Sequence, residues 1–217
     1  MNRNERLLLI DTCGETAGVA LCEGLRVLAS QDSTRGSTSS EIVSAVRRLL
    51  EQVGWRLAEL SGVGVVNGPG SFTGMRTGLA TAKGLCEAAG LPLAAVSRLE
   101  VLADAASLRE GIVALDAGRG ELYVRDVESG REWVCSRDEF EQICGRRSWV
   151  VAEASVAERL AMCDPVLHRL RVVDALPVVL RSLREGGSDV ALVDANYVRA
   201  ESELYRKPSE HASIGKR

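Results

Sequence analysis

The hydrophobic positions of this 217-residue chain alternate between short apolar runs and helical stripes, an order that predicts an α/β protein. Residues 7–11 form an apolar run that ends in an aspartate, which is typical of a buried strand. Alternating segments at 16–22 and 26–30 favour two more strands in an antiparallel meander. The spacing of Thr38 and Glu41 matches a capping box and predicts a helix start. The apolar stripe of this helix comprises Ile42, Val46, Leu49, Leu50 and Val53.

The same alternation continues to the middle of the chain. A strand at 62–66 leads through a glycine-rich segment into a helix from Met75 to about residue 89. A strand at 93–96 and a helix at 98–107 follow. The predicted order of the first half is therefore βββαβαβα.

The second half begins in the same way as the first. Residues 111–116 form an apolar strand that closes on Asp116, as the first strand closes on Asp11. The weaker patterns after it predict strands at 122–127, 133–135 and 149–152 and helices at 138–144, 156–162 and 176–184. Duplicated βββαβα halves of this kind are typical of an actin-like (ASKHA, ribonuclease-H-like) two-lobe fold.

This duplication predicts an N-terminal lobe at 1–108 and a C-terminal lobe at 109–205. Residues 206–217 have lost hydrophobic periodicity, which predicts a disordered tail.

Composition argues against direct nucleic-acid binding, a zinc or redox site and a membrane protein. Hydrophobic residues make up 46% and charged residues 26%, as in an ordinary soluble protein, and the formal net charge is -3. Direct docking on nucleic acid usually requires a basic excess, so any such role is expected to be indirect. The six cysteines lack C-x-x-C spacing, which indicates reduced, mostly buried thiols rather than a zinc or redox site. Neither a signal peptide nor a membrane-length stretch is evident, which predicts a cytoplasmic protein.

The glycine loop, residues 67–74, is the most informative segment. Together with the helix start after it, the loop supplies Gly68, Gly70, Ser71, Phe72, Thr73, Gly74 and Arg76. Free backbone N–H groups at a helix N-terminus favour anions. A Walker A loop does not match, since Lys83 lies two turns too far along. A dinucleotide fingerprint does not match either, since the loop has one residue too many for G-x-G-x-x-G. Two interpretations stay open: an anion site, or a tight connection in which glycines permit close packing.

The helix after the glycine loop is small on nearly every face. Its small residues are Gly78, Ala80, Thr81, Ala82, Gly84, Ala88 and Ala89. A glycine inside a helix costs about 1 kcal/mol relative to alanine. Close approach of another backbone, within the fold or across a subunit interface, would compensate for this cost.

These segments resemble the TsaB (YeaZ) family. The resemblance is strongest at residues 68–80 and continues at 82–85, while shorter matches lie at 8–12 and 18–21. The second half matches at 114–117, 119–123 and 197–199 and diverges elsewhere. Two departures are Ser39, where relatives often carry histidine, and Asn196, where proline is usual.

The resemblance implies a pseudoenzyme without catalytic residues of its own. It would be required by a TsaD-like catalytic subunit, which transfers a threonylcarbamoyl group to the adenosine beside the tRNA anticodon. The implied partners are that TsaD-like subunit, bound through the first lobe, a TsaE-like ATPase and a second copy of the chain in a homodimer. The tRNA would be reached indirectly through the complex. No intrinsic cofactor is implied, and ATP or ADP would act at the level of the complex.

The candidate partner interface lies on the two helices of the first lobe. Its candidate residues are Ile42, Val46, Leu50, Met75, Leu79 and Lys83. Whether they face a partner or the protein's own core stays open at this stage. If they face a partner, Leu79→Glu is expected to abolish binding.

A solitary actin-like ATPase or small-molecule kinase is the alternative function. Asp11 and Asp116 stand where acids of that superfamily approach metal and phosphate, although an aspartate at a strand end is also a common turn former. The catalytic relative uses a close-spaced histidine pair as metal ligands, whereas this chain has only His168 and His211. No metal site is therefore expected. A peptidase is disfavoured, because no nucleophile elbow or zinc motif is evident.

Overall fold

The computed structural model describes residues 5–34, 39–145, 147–160 and 164–198. The first half contains β1 (Arg6–Asp11), β2 (Thr16–Glu23), β3 (Arg26–Thr34), α1 (Ser39–Val53), β4 (Gly62–Val66), α2 (Phe72–Ala89), β5 (Leu93–Val96) and α3 (Arg98–Ala105). The second half contains β6 (Ile112–Gly118), β7 (Glu121–Asp126), β8 (Glu132–Ser136), α4 (Arg137–Cys144), β9 (Trp149–Val151), α5 (Ala154–Arg159), β10 (Val166–Leu167) and α6 (Leu176–Arg184). Short 3-10 helices lie at Leu57–Glu59 and Val172–Ala175.

The ten strands found in the described residues form two sheets with the same internal order. The first sheet runs β3-β2-β1-β4-β5 and the second β8-β7-β6-β9-β10. In each sheet the central strand pairs antiparallel with the next strand in sequence and parallel with the fourth. The predicted duplication is therefore confirmed. It places Asp11 and Asp116 toward the carboxyl ends of the two central strands.

The first sheet is covered on both faces. All five residues of β4 and nearly all of β1 are buried, which requires a packed layer on each side. Helices α1 and α2 pack on this sheet, and so do α6 and the 3-10 helix at Val172–Ala175. A Cβ added to Gly64 would lie 2.5 Å from Val179, so α6 approaches the strand closely because position 64 has no side chain.

Helix α3, from the first half of the chain, packs on the second sheet. Leu99 and Leu102 of α3 share a hydrophobic cluster with Val113 and Tyr123. Helices α4 and α5 contribute to a separate cluster that includes Phe140. Each sheet is thus completed by a helix from the other half of the chain.

The lobe boundaries predicted from the sequence stay a prediction, but the two cores do not follow them. Helix α3 lies within the predicted first lobe, 1–108, yet it packs on the second sheet. Helix α6 lies within the predicted second lobe, 109–205, yet it packs on the first sheet. The predicted tail at 206–217 lies outside the described residues.

The element boundaries differ from the sequence predictions in several places. Helix α2 begins at Phe72 rather than Met75, because the Ser71 side chain accepts a hydrogen bond from Gly74 N–H and caps the helix. The third strand is longer than expected, and β10 and the 3-10 helix at Val172–Ala175 are too short to show hydrophobic periodicity. Thr38, and Met162 at the predicted end of the fifth helix, lie outside the described residues.

The described residues can be compared with the expectations for the cysteines and for membrane-spanning helices. Five cysteines there are buried and form no disulfide bond, as expected, and Cys163 lies outside those ranges. Within the same residues, no helix combines the length and the hydrophobicity needed to span a bilayer.

Candidate functional site

The glycine loop lies directly on the turn that follows β1. Ser71 N–H donates to the Cys13 carbonyl at 2.8 Å, and Thr12 Oγ1 donates to the Gly74 carbonyl at 2.6 Å. A Cβ at Gly70 would lie 2.3 Å from the Cys13 oxygen, and one at Gly74 would lie 1.9 Å from the Thr12 oxygen. Only glycine fits at such backbone-to-backbone distances. The close-packing interpretation therefore has a direct physical basis, while anion binding by this loop stays a prediction.

The glycines inside α2 have different surroundings. A Cβ at Gly78 would lie 2.2 Å from Thr12 Oγ1, so this glycine also serves the contact with the turn. Gly84 is exposed, and a Cβ there would meet no atom within 4 Å. Packing within the described residues therefore accounts for Gly78 but gives no reason for Gly84.

The C-terminal part of the described chain crosses the glycine loop. Asn196 N–H donates to the Asn67 carbonyl at 2.8 Å, and Asn67 Nδ2 donates to the Asp194 carbonyl at 3.0 Å. Asn196 Nδ2 also donates to Glu132 at 2.9 Å, which connects the crossing segment to β8. Two motifs far apart in sequence therefore meet at one place.

An aromatic cluster joins the same segment to the start of α2. Arg76 Nε donates to the Tyr197 hydroxyl at 2.7 Å, and its guanidinium lies 3.8 Å from the Phe72 ring centroid. The Phe72 and Tyr197 rings are 5.8 Å apart. Arg76 is thus fixed by stacking and by a hydrogen bond. Arg199, the last residue of the matching motif, lies outside the described residues.

A buried ion pair connects this site to the second sheet. Arg98, the first residue of α3, is 6% exposed, and its N–H donates to the Gly68 carbonyl at 2.6 Å. Its Nη1 lies 3.0 Å from Oε1 of Glu153, which is 8% exposed and immediately precedes α5. The second carboxylate oxygen of Glu153 accepts the Asp116 N–H at 3.3 Å. The pair therefore spans the space between the ends of the two central strands.

Two buried carboxylates, Asp11 and Glu153, lie near the guanidinium of Arg98, and the charge of Asp116 also acts on Glu153. Burial raises the pKa of Asp11 and of Glu153, and the positive charge of Arg98 opposes that shift. Burial works to lower the pKa of Arg98, but the two carboxylates outweigh it and raise that pKa. Arg98 therefore stays charged.

Neither Arg98 nor Glu153 was predicted as a site residue from the sequence. The sequence predicts Arg98 only as the start of a helix, and Glu153 follows it by 55 residues. No local pattern marks a partner at that distance, so the ion pair required the tertiary structure.

The two strand-end aspartates both stabilise turns. Asp11 Oδ1 accepts the Cys13 N–H at 2.8 Å. Asp116 Oδ1 accepts the Gly118 N–H at 2.9 Å and lies 3.2 Å from Arg159 Nη2. No three His, Cys, Asp or Glu side chains within the described ranges are grouped so that they could hold a metal ion.

The interface candidates divide by burial. The apolar candidates all lie in the first hydrophobic core and are at most 8% exposed: Ile42, Val46, Leu50, Met75 and Leu79. Lys83 is half-buried. The protein's own core thus covers these five apolar side chains. Contact with a partner through these helices stays a prediction that falls on their exposed residues.

Comparison with known proteins identifies the family. The model described as TsaD, tRNA N6-adenosine threonylcarbamoyltransferase, matches residues 33–144, about half of the chain. The tRNA threonylcarbamoyladenosine biosynthesis protein TsaB of Escherichia coli K12 is 32% identical over 142 residues, 64% of this chain. Its Bacillus subtilis 168 namesake is 36% identical over 120 residues, 54% of this chain. The chain belongs to the family that the TsaD model describes, in its TsaB (YeaZ) branch.

The extent of the match differs between sequence and structure. This TsaB-family chain spans 62% of the E. coli relative's length and 52% of the B. subtilis relative's length. A Pseudomonas aeruginosa crystal structure, described as similar to the peptidase YeaZ, superposes with a TM-score of 0.74 at 25% identity. That match covers 90% of this chain and 100% of the other. The actin-like two-lobe α/β fold expected for the TsaB family is confirmed.

Proposed function

We propose that this chain is the non-catalytic partner of a TsaD-like subunit that transfers a threonylcarbamoyl group to the adenosine beside the tRNA anticodon. Membership in the TsaB branch and the names of the curated relatives support a role in threonylcarbamoyladenosine biosynthesis. The observation that carries the non-catalytic part is the Arg98–Glu153 ion pair. With the protein's own side chains, it connects the turn after β1, at Gly14, to the Asp116 N–H of β6.

The acids that favour the alternative, a solitary ATPase or kinase, are both engaged in turns. Asp11 accepts from its own turn, and Asp116 is paired with Arg159. Phosphoryl transfer relies on acids that hold a metal-bound nucleotide, which would require these contacts to be exchanged. In the proposed complex, ATP or ADP acts with the TsaE-like ATPase and tRNA is bound through the TsaD-like subunit.

The proposed docking surface is the outer face of α2, defined by Thr73, Arg76, Ala80, Gly84, Glu87 and Ala88, all of them exposed. Gly84 costs about 1 kcal/mol relative to alanine in a helix, and nothing in the described chain approaches it. A second backbone packed against Ala80 and Gly84 would offset that cost. We therefore place the TsaD-like subunit on this face.

Reconstitution of the reaction tests the proposed function. Purified TsaD-like and TsaE-like proteins are incubated with tRNA, threonylcarbamoyl-adenylate and ATP, with and without this chain. We expect threonylcarbamoyladenosine to form only when the chain is present, and a defined heterodimer in size-exclusion chromatography with light scattering. Full modification without the chain, or ATP hydrolysis by the chain alone, would favour the solitary enzyme.

The docking surface has its own test. Ala80→Glu places a charge on an exposed helix position, so the variant is expected to fold and to weaken binding to the TsaD-like subunit by about tenfold or more. Gln142→Glu, on the exposed face of α4, is the matched control and should bind normally. Unchanged binding by Ala80→Glu would remove this face from the interface. Loss of a homodimer alone would assign the face to a second copy of the chain. Leu79→Glu cannot serve here, because Leu79 is 5% exposed and a buried charge would destabilise the fold.

A further inference from the structure

Arg98 contacts the glycine loop, the turn after β1 and the second lobe at once. Its backbone N–H holds the Gly68 carbonyl at 2.6 Å. Its Nη2 would lie 2.8 Å from a Cβ at Gly14, so the guanidinium rests directly against the turn. Its Nη1 is paired with Glu153, which comes from the strand-to-helix junction of the second sheet.

Glu153 is the hydrogen-bonded counter-ion of this guanidinium, and the charge of Asp11 adds a second attraction. Among the described residues the buried Nε of Arg98 has no hydrogen-bond partner, so the Nη contacts carry the interaction. A buried charge that loses its counter-ion is strongly unfavourable and moves toward water. Such a movement would disturb the turn at Gly14. It would also disturb the glycine loop, because Gly70 and Gly74 lie so close to that turn that a Cβ at either position would overlap a carbonyl oxygen of Thr12 or Cys13.

We propose that Glu153 acts through Arg98 as a positioning residue for the glycine loop and the first turn of α2. The second lobe thereby sets the conformation in which the first lobe presents the outer face of α2. The effect on the loop stands on the contacts alone. Only its consequence for partner binding rests on the proposed function.

Hydrogen exchange of the full chain tests the loop conformation without a partner. The reporters are the amides of Ser71, which donates to Cys13, and Met75, which donates to Ser71; the β4 amides are the internal reference. In Glu153→Gln we expect exchange at the two reporters to accelerate by about tenfold or more, with little change in β4. Phe140→Leu, in the second lobe's own core, is the control and should alter reporters and reference alike.

Two results would overturn the positioning role. One is unchanged protection of Ser71 and Met75 in Glu153→Gln. The other is acceleration by the same factor in β4, which would indicate general destabilisation. Should Glu153→Gln not unfold cooperatively, the double variant Arg98→Met with Glu153→Leu removes both charges of the ion pair, and Asp11 remains as the nearby buried carboxyl group. It is expected to show the same local acceleration, and uniform exchange in it would contradict the role.

Partner affinity separates this inference from the proposed function. Glu153 does not belong to the outer face of α2, yet Glu153→Gln should weaken binding of the TsaD-like subunit by about tenfold if both proposals hold. Faster loop exchange with unchanged affinity would keep the positioning role and count against the docking face. Weaker binding with unchanged loop exchange would overturn the positioning role.

Discussion

The two halves of the fold differ most at their equivalent strand-to-helix junctions. Between β4 and α2 the chain supplies glycines, and backbone packs on backbone at Thr12 and Cys13. Between β9 and α5 it supplies Glu153, whose carboxylate reaches the Asp116 N–H and Arg98. At the β4–α2 junction, glycines allow two backbone segments to contact each other directly. At the β9–α5 junction, the buried side chain of Glu153 makes the contacts instead.

This difference separates two ways of fixing the same topology. The glycine junction leads into a helix of 18 residues and the glutamate junction into one of 6. Close backbone packing holds a long helix by steric fit, so any added atom is expected to destabilise the fold. A buried ion pair fixes a junction by charge, and its weakness is the loss of either partner.

Removing the carboxylate should have the largest effect. Glu153→Ala leaves Arg98 buried without its hydrogen-bonded counter-ion and with only the more distant charge of Asp11, so we expect the free energy of unfolding to fall by about 3–5 kcal/mol. Urea denaturation followed by circular dichroism measures this change. Glu158→Ala removes an exposed glutamate of α5 and should change stability by less than about 0.5 kcal/mol. Equal losses in the two variants would mean that the second junction is not fixed by charge.

Adding one carbon to the glycine junction should have the next largest effect. In Gly74→Ala the new Cβ would lie 1.9 Å from the Thr12 carbonyl oxygen, a backbone atom with little freedom to move. We expect a loss of about 3 kcal/mol, the upper end of the usual cost of overpacking, measured by the same urea titration.

Gly84→Ala is the matched control for that substitution. It makes the same change in the same helix where no atom lies within 4 Å. It should stabilise the isolated chain by up to about 1 kcal/mol, because alanine favours the helix. A stable Gly74→Ala variant would show that the turn after β1 yields, and that shape does not fix this junction.

The sequence predicts the elements of both junctions better than the contacts between them. Helix α2 and its glycine loop are visible because a strand, a glycine cluster and a helical pattern follow one another locally. The division between packing and partner contact was not visible, because α2 is small on nearly every face. The tertiary structure buries Met75 and Leu79 and exposes Ala80 and Gly84, and contact of the exposed residues with a partner stays a proposal.

Long-range pairing explains what the sequence could not predict. Nothing near Arg98 marks Glu153 as its partner, and an arginine at a helix start is ordinary on a protein surface. The exchange of α3 and α6 between the sheets was missed for the same reason. Apolar periodicity shows that a helix has a buried face but does not show which sheet buries it.

A smaller effect is expected where the C-terminal segment crosses the glycine loop. Tyr197→Phe removes the hydroxyl that accepts from Arg76 Nε but keeps the ring 5.8 Å from Phe72. The loss should be about 0.5–1 kcal/mol, the net value of a typical hydrogen bond, measured as a shift of the urea midpoint. Tyr197→Ala, which also removes the ring, should lose more. If both variants lose the same amount, the ring contact does not contribute to holding the loop.

The smallest effect concerns Asp11, the aspartate at the end of β1 whose charge interacts with Arg98. Burial raises the folded-state pKa of Asp11 above its ordinary value of 3.8, with Arg98 opposing the shift. An acid whose pKa is raised by folding contributes stability that is fully present below pH 3.8 and is lost as the pH rises through the folded-state pKa. Asp11→Asn keeps an oxygen to accept the Cys13 N–H, so this variant should be more stable than the wild type at pH 7.

Urea titrations of both proteins between pH 4 and pH 8 would measure that difference. The advantage of Asp11→Asn should shrink steadily as the pH falls toward 4, because the wild-type carboxyl then takes up its proton. A variant that is less stable than the wild type at pH 7 would show that attraction to Arg98 outweighs the burial of Asp11. The guanidinium would then be held from both junctions by charge, and the glycine junction would depend on more than its shape.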